Sequence, residues 1–532
     1  MIESISVPSN VPFSVDIKTC TRPCLGPSTC SHEKLIGVVD VVDNMLSLLH
    51  EELPRVTESA QRVRPLMISR LARGGKTTIL SLLFDELKRH DVRRLDVRVI
   101  FITFNGSSNF QSRQGESQRN AILRVIATQL VDIGDNDPLN IECDEDELDK
   151  YIGELPFVLL IDELNALSAP VDGDAGGMLR RLFLDKHNRY LVFTTHIPIS
   201  LEPCASQYMM SSSAPSSPRG CLTVHIPQCV DLNSLRNMSV QCESLTPSEV
   251  MLYGGIPSLI YSIKAMGEMN PDVRFSKKIF PRSCRDQNML KSFIMSVVDG
   301  VPRSDVAIFD EFAVVPEENK IRWPLCYIAC ILGAFEENEA TRAVCDNCAS
   351  LSTYAQTTES GKEWECVLNI AIIFRCLYQS YWGSDSPFSI VPSGIKTTVI
   401  FRTIPPEYKT PSSVKKFIEH SSKLSFPSVL VLVPSYSKFP DVDGFVVYCV
   451  DPTTKPLIYG YQAKTLRSYP KRNCPEWMEE GFLLRGKSPA MGSLRKGWNY
   501  MSHGDVLRLL GYSLAPMYPA SWHEYPSTDA FD

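Results

Sequence analysis

Two short clusters, far apart in the chain, carry residues that could do chemistry. Ala72-Arg73-Gly74-Gly75-Lys76-Thr77-Thr78 puts glycines, a cation and hydroxyls side by side, and Asp443 is followed downstream by Gln462-Ala463-Lys464. In the first cluster Gly74 and Gly75 let backbone amides approach phosphate, and Lys76 can reach the β and γ phosphates of a nucleoside triphosphate. Thr77 can ligate magnesium, and Thr78 stands beside it in the same turn. In the second, Asp443 is the main candidate ligand for a divalent metal and Gln462 a weaker carbonyl ligand. Lys464 would orient water and meet the charge that develops on a phosphodiester. On a strand Gln462 and Lys464 share a face, so both can face Asp443 across a strand pair.

The elements around the first cluster fit its task. Leu66-Met67-Ile68-Ser69 follows Pro65 as a strand-length apolar run, and Ile79, Leu80, Leu83, Phe84 and Leu87 give the stripe of a helix. Strand, glycine turn, helix is the setting of a phosphate-binding loop. Arg70 stands where the usual pattern has glycine, which alters the start of the loop. Phe157 to Ile161 is an apolar strand ending on Asp162 and Glu163. Asp162 is placed to hold magnesium through water, and Glu163 to polarise the water that attacks the γ-phosphate. Arg98–Phe104, Tyr190–Thr195 and Leu222–Ile226 supply further strands, and Thr195 is the hydroxyl expected beside the nucleotide. Five strands alternating with helices predict an α/β, doubly wound parallel sheet with its site at the strand carboxyl ends. Gly254-Gly255-Ile256-Pro257 then resembles the Gly-x-Pro element in the helical lid of STAND-type and related ATPases. Its plain alternative is one helix stopped by glycine and another begun by proline.

The second cluster lies among strands as well. Ser428–Pro434 and Phe445–Tyr448 are apolar runs, and Leu457–Lys464 follows an Asp451-Pro452-Thr453-Thr454 turn. Upstream, a helix opening near Gly361 has the stripe Trp364, Val367, Leu368, Ala371 and Phe374, and carries Glu365 as the preferred third catalytic acid, with Glu363 second. An acid at a helix start is also what the helix dipole favours with no chemistry attached. The order helix-acid, Asp443, Gln462-x-Lys464 resembles the PD-(D/E)xK nucleases, with Gln462 in place of the second acid as in Mrr-like restriction enzymes. Lys464 through Arg472 is locally basic and interleaved with Tyr461, Tyr469 and Trp477. That composition suits a nucleic-acid face or a solvated charge run.

Bulk properties narrow the classes. A chain of 532 residues exceeds one hydrophobic core, and 44% apolar with 22% charged residues is ordinary globular composition. A net charge of −7 supplies no overall attraction for nucleic acid, so such binding needs a local basic surface. The 17 cysteines follow no framework spacing, which points to a reducing intracellular compartment. Cys20, Cys24, Cys30 and His32, and the pair Cys345 and Cys348, lack a second half at metal-site spacing. The start of the chain lacks the pattern of a signal peptide, and the stretch Cys366–Tyr378, broken by Asn369 and Arg375, is too short to span a bilayer, so a soluble protein is expected.

The glycine-lysine loop, the Leu-Leu-Ile-Asp-Glu strand and the C-terminal Asp443 with Gln462-x-Lys464 together resemble the Crinkler and retrotransposon-hot-spot superfamily. Pro434-Ser435-Tyr436, Asp443-Gly444-Phe445-Val446-Val447 and Gly460-Tyr461-Gln462 carry most of the likeness, extended by Gly497-Trp498-Asn499-Tyr500 and Leu510-Gly511-Tyr512-Ser513-Leu514. The resemblance covers residues 35 to 520. It implies a STAND-like P-loop NTPase with a helical lid, a helical or winged-helix-like middle segment, and a C-terminal α/β restriction-endonuclease-like domain. It implies ATP or GTP with Mg2+ as cofactors, and DNA and a host protein as partners. The place of action would be the nucleus, for secreted effectors that of the host cell. The ubiquitin-like header of the family is not recognisable in the first 40 residues. The expected boundaries are 1–34, a poorly ordered segment; 35–272, the NTPase with lid; 273–350, the middle segment; 351–520, the nuclease-like domain; and 521–532, a tail. Ser211 to Pro218 is expected to be a flexible loop within the NTPase.

Overall fold

The computed structural model describes residues 13–23, 38–52, 64–69, 75–89, 97–104, 116–132, 138–154, 156–164, 175–186, 188–195, 222–224, 226, 232–264, 286–303, 306, 313–317, 320–333, 335, 339–354, 360–382, 397–423, 426–435, 442–463, 470, 472–484 and 495–517. They fall into two units: Met1–Glu243 with Ile256–Tyr261 and Asp310–Asn319, and Ser244–Gly255 with Ser262–Phe309 and Lys320–Asp532.

In the first unit the apolar runs become β1 (Leu66–Ser69), β2 (Arg98–Thr103), β3 (Phe157–Asp162), β4 (Arg189–Thr195) and β5 (Leu222–Val224). They form one sheet in the order β2-β3-β4-β1-β5, every neighbouring pair parallel. All residues of β2 and β3 are buried. A parallel strand covered on both faces has no solvent side, so its sequence runs apolar without alternation. Helices α1 (Val38–Glu52), α2 (Lys76–Lys88), α3 (Gln118–Leu130), α4 (Glu145–Ile152), α5 (Ala175–Leu179) and α6 (Leu232–Arg236) complete this part. Met45, Leu46 and Leu49 of α1 share one core with Ile79, Leu80, Leu83 and Phe84 of α2 and with Leu66 and Ile68 of β1. Each such side chain contributes roughly 1.5–3 kcal/mol on burial. The helix that follows the glycine turn is thereby fixed to the strand that precedes it.

Strand order sets the site. From β1 the chain crosses to β2, returns through β3 and β4, and only then adds β5, so β4 lies between β1 and β3. The carboxyl ends are aligned by register, Thr103 opposite Asp162 and Ile68 opposite Thr194.

Of the segment 1–34, expected to be poorly ordered, the described residues are 13–23. Residues 13–23 are packed against the first unit: the amides of Ser14 and Val15 both donate to the Leu130 carbonyl at 2.9 Å, and Tyr151 donates its hydroxyl to Val15 O at 2.5 Å. Ile17 and Cys20 are buried, Phe13 stacks on Tyr151, and Lys88 donates to the Cys20 carbonyl. Ser, Pro and Thr content hid a segment whose docking needs only a few apolar contacts and a row of backbone bonds. Ser211 to Pro218 lies outside the described residues.

Beyond α6 come α7 (Pro247–Leu252) and α8 (Pro257–Lys264), separated by Gly254 and Gly255 in the left-handed region. The division between the two units passes at Ile256, within this Gly-Gly-Ile-Pro run. Next are α9 (Gln287–Asp299), the short strands β6 (Val314–Glu317) and β7 (Lys320–Arg322), α10 (Leu325–Gly333), α11 (Glu339–Tyr354) and the long α12 (Ser360–Trp382).

The second unit is built on a mixed sheet. Its strands are β8 (Thr398–Ile404), β9 (Ser428–Pro434), β10 (Gly444–Cys449), β11 (Leu457–Ala463), β12 (Glu480–Leu484) and β13 (Trp498–Tyr500), with α13 (Pro411–Ser421) after β8 and α14 (His503–Leu514) at the end. They line up as β13-β12-β11-β10-β9-β8; β9, β10 and β11 are antiparallel neighbours, and the outer pairs are parallel. The β10–β11 turn is closed by Asp451, whose carboxylate accepts the amides of Thr453 and Thr454 at 2.8 and 2.9 Å. These bonds and the two threonine hydroxyls hold its carboxyl well below the usual carboxylate range. Val414 and Ile418 of α13 pack with Leu430, Leu432, Phe445, Val447 and Ile458 on one side of the sheet. Through Asn369, α12 bonds Tyr461 of β11.

Candidate functional site

At the first site Gly75 caps α2 with φ 86° and ψ 10°, a left-handed conformation that glycine takes without penalty. No side chain caps this helix start, so its first amides face the loop as a ready anion site. Lys76 is 4% exposed, and Thr77 and Thr78 in the same turn are half-buried. Gly74 and Arg70 lie outside the described residues.

Asp162 is the hub. It is fully buried at the end of β3, and hydroxyls from three elements converge on its two oxygens. Thr77 of α2 donates to Oδ2 at 2.8 Å, Thr103 of β2 donates to Oδ2 at 3.3 Å, and Thr194 of β4 donates to Oδ1 at 2.8 Å. Burial pushes the Asp162 carboxyl up; the hydroxyls of Thr194 and Thr77 and the charge of Lys76 pull it back, while Glu163 adds to the rise. Next to it Glu163 sits at φ 55°, a left-handed position rare for a residue with a side chain. Its amide is held there by Thr194 Oγ1 at 2.7 Å. Thr194 thus donates to the aspartate and accepts from the glutamate backbone. A buried carboxylate and a threonine hydroxyl meeting at a helix start fit a hard cation of the magnesium kind, which Thr77 and Asp162 would hold.

Sequence reading placed Thr195 at the nucleotide and passed over Thr194. Only some positions of β4 can turn a hydroxyl toward Asp162, and Thr194 does. Register between β3 and β4 decides which, and that register is not written in either strand alone. The Thr195 side chain lies outside the described residues. Among the described residues β1, the left-handed Gly75 and α2 are the parts of the expected phosphate-binding arrangement.

The second site centres on β10 and β11. Gly444 pairs with Tyr461, the Asp443 amide donates to Tyr461 O at 2.9 Å, and the Asp443 carboxylate accepts the Ala463 amide through Oδ2 at 2.7 Å. That bond holds Asp443 against the strand that carries Gln462. Gln462 is 2% exposed, and its Oε1 meets no hydrogen-bond donor among the described residues. An unpaired buried carbonyl costs about 1–3 kcal/mol, and a cation would satisfy it. Asp443 and Gln462 therefore fit the metal-binding role expected of them. Lys464 lies outside the described residues.

Glu365 reaches this region from α12, where it is half-buried and one turn before Asn369. The Tyr461 hydroxyl is pushed well above its ordinary value by burial first, then by the charge of Asp443 and further by Cys376, Glu365 and Cys366. Both acids therefore act on one buried hydroxyl. Among the described residues no three His, Cys, Asp or Glu side chains gather where they could hold a metal. Cys345 and Cys348 point at helix carbonyls instead, those of Ala329 and Leu325.

Gly444 makes room for the Tyr461 side chain. The space beside it is filled by the Tyr461 hydroxyl and ring, and a methyl at 444 would overlap them. Gly444→Ala is expected to lower stability by about 1–3 kcal/mol, the range for overpacking, read as a lower urea midpoint at unchanged slope. An unchanged midpoint would show that the ring moves freely.

No family model and no curated protein matches the chain. Solved structures similar to it include a Walker-type ATPase of Pyrococcus abyssi, at 15% identity over 57% of this chain and 97% of that one, with a TM-score of 0.35. The ORC1 protein of Aeropyrum pernix in complex with DNA matches at 14% identity over 61% of this chain and 85% of its own, TM-score 0.30. Cdc6p of Pyrobaculum aerophilum matches at 14% identity over 61% and 99%, TM-score 0.27. Scores this low carry no argument about activity, which rests on the geometry above. Among the described residues no helix is long and apolar enough to cross a membrane.

Proposed function

We propose that the chain is an NTP-hydrolysing protein whose C-terminal unit acts on DNA through a divalent metal, in the manner its Crinkler-like motifs imply. The observation that carries the first half is the clamp on Asp162, where Thr77 of the glycine loop and Thr194 of the intervening strand both bond its carboxylate. Lys76 binds the β and γ phosphates of ATP or GTP, and Thr77 and Asp162 hold Mg2+. That ion supplies charge neutralisation on the phosphates. Glu163 orients and polarises the attacking water, and Thr194 fixes the backbone of Glu163 while touching Asp162. In the second half Asp443 and Gln462 hold a metal, Glu365 assists, and Lys464 takes the cationic role. The division into NTPase with lid, middle segment and nuclease-like domain belongs to this reading, as does action in a nucleus.

A second reading is an NTP-dependent switch that binds a host or chromatin partner, with the C-terminal fold kept for contact. Gln462 in place of an acid favours it, because a neutral ligand binds magnesium more weakly. Incubating the full chain with plasmid, ATP and magnesium separates the two readings when phosphate release and nicking are scored together. Both activities are expected. Phosphate release without nicking would transfer the conclusion to the switch, and neither activity would overturn both readings.

A further inference from the structure

A buried polar chain runs behind the second site. Tyr461 donates its hydroxyl to Asn369 Oδ1 at 2.6 Å, Asn369 Nδ2 donates to Asn347 Oδ1 at 3.3 Å, and Asn347 Nδ2 donates to the Ala343 carbonyl at 2.8 Å. All three side chains are buried. The direction of this chain is fixed by its last member. A helix carbonyl only accepts, so Asn347 must give it the amide nitrogen and turn its oxygen to Asn369. Asn369 must then present its own oxygen to Tyr461, whose proton is committed. Side-chain identity alone leaves amide orientation open; this terminus settles it.

Tyr461 adjoins Asp443 and Gln462 and bonds the helix that carries Glu365. It precedes Gln462 on β11, its ring fills the space over Gly444 next to Asp443, and Asn369 is one helical turn from Glu365 on α12. We propose that Tyr461 and Asn369 are positioning residues, whose hydrogen bond holds the Glu365 helix in register with the Asp443 and Gln462 strands and so sets the affinity of the site for a divalent cation. This rests on the metal-dependent reading of the C-terminal unit. Partners one shell out from metal ligands orient them, and their loss usually costs 10–100-fold in metal affinity.

The test is Mn2+ binding to the full chain without nucleotide, followed by the electron paramagnetic resonance of free Mn2+, with thermal melting of each variant alongside. Tyr461→Phe keeps the ring over Gly444 and removes one oxygen; Asn369→Leu removes the acceptor; Asp443→Asn marks which binding belongs to this site. The expected result is Mn2+ binding that Asp443→Asn removes and that Tyr461→Phe and Asn369→Leu weaken by about 10-fold or more. Binding that Asp443→Asn removes and Tyr461→Phe leaves unchanged, even at a lower melting temperature, would overturn the inference and leave the metal reading standing. Wild-type protein with no Mn2+ bound through Asp443 would overturn both. Should Asn369→Leu fail to fold, Tyr461→Phe alone decides.

Discussion

Lys76→Ala protein is expected to release phosphate from ATP on the order of 100-fold or more slowly than wild type, the loss typical of removing a preorganised charge from a developing anion. Lys76 is the first residue of α2, follows the left-handed Gly75 and is almost wholly buried. A buried ammonium is costly unless its charge has a use, and Lys76 pulls the Asp162 carboxyl toward the ionised form. In the proposed mechanism the substitution removes the cation for the phosphates together with a counter-charge for Asp162. Folding is controlled by melting temperature, because trimming a buried chain leaves a cavity. Unchanged hydrolysis in folded Lys76→Ala protein would remove the glycine loop from the mechanism.

Asp443→Ala is expected to reduce magnesium-dependent plasmid nicking by at least about 100-fold, since a direct ligand should cost no less than the outermost range for residues one shell away. The carboxylate also has a structural task, the bond from the Ala463 amide. Asp443→Asn separates the two, because its carbonyl still accepts that bond while the charge is gone. Nicking lost equally in both variants assigns the effect to charge; nicking retained in Asp443→Asn would assign it to strand pairing and sink the metal role.

Much of this was legible in the sequence for a physical reason. β2 and β3 of the first sheet are buried along their whole length, so runs such as Phe157–Asp162 stand out as continuous apolar segments. Asp451-Pro452-Thr453-Thr454 announced its turn because an aspartate can accept the amides that follow it. Other features depend on long-range register. Thr194 meets Asp162 because β4 is inserted between β1 and β3. Tyr461 and Asn369 are far apart in the chain, and neither carries a local signal that they bond. The docked residues 13–23 have no hydrophobic period, only single apolar anchors such as Ile17. The mixed sheet likewise extends beyond its antiparallel hairpin to β12 and β13, through segments with no marked apolar run.

Those docked residues bear on how the chain can be divided. A fragment spanning 35 to 272 would strip Ile17 and Cys20 from the first unit, deprive the Leu130 carbonyl of two donors, and leave out Asp310–Asn319, which cluster with that unit. The second unit is interleaved in the same way, since Ser244–Gly255 belongs to it and Ile256–Tyr261 does not. A cut of the chain near residue 260 would therefore leave neither unit whole, and each unit has to be produced with residues from both sides of it.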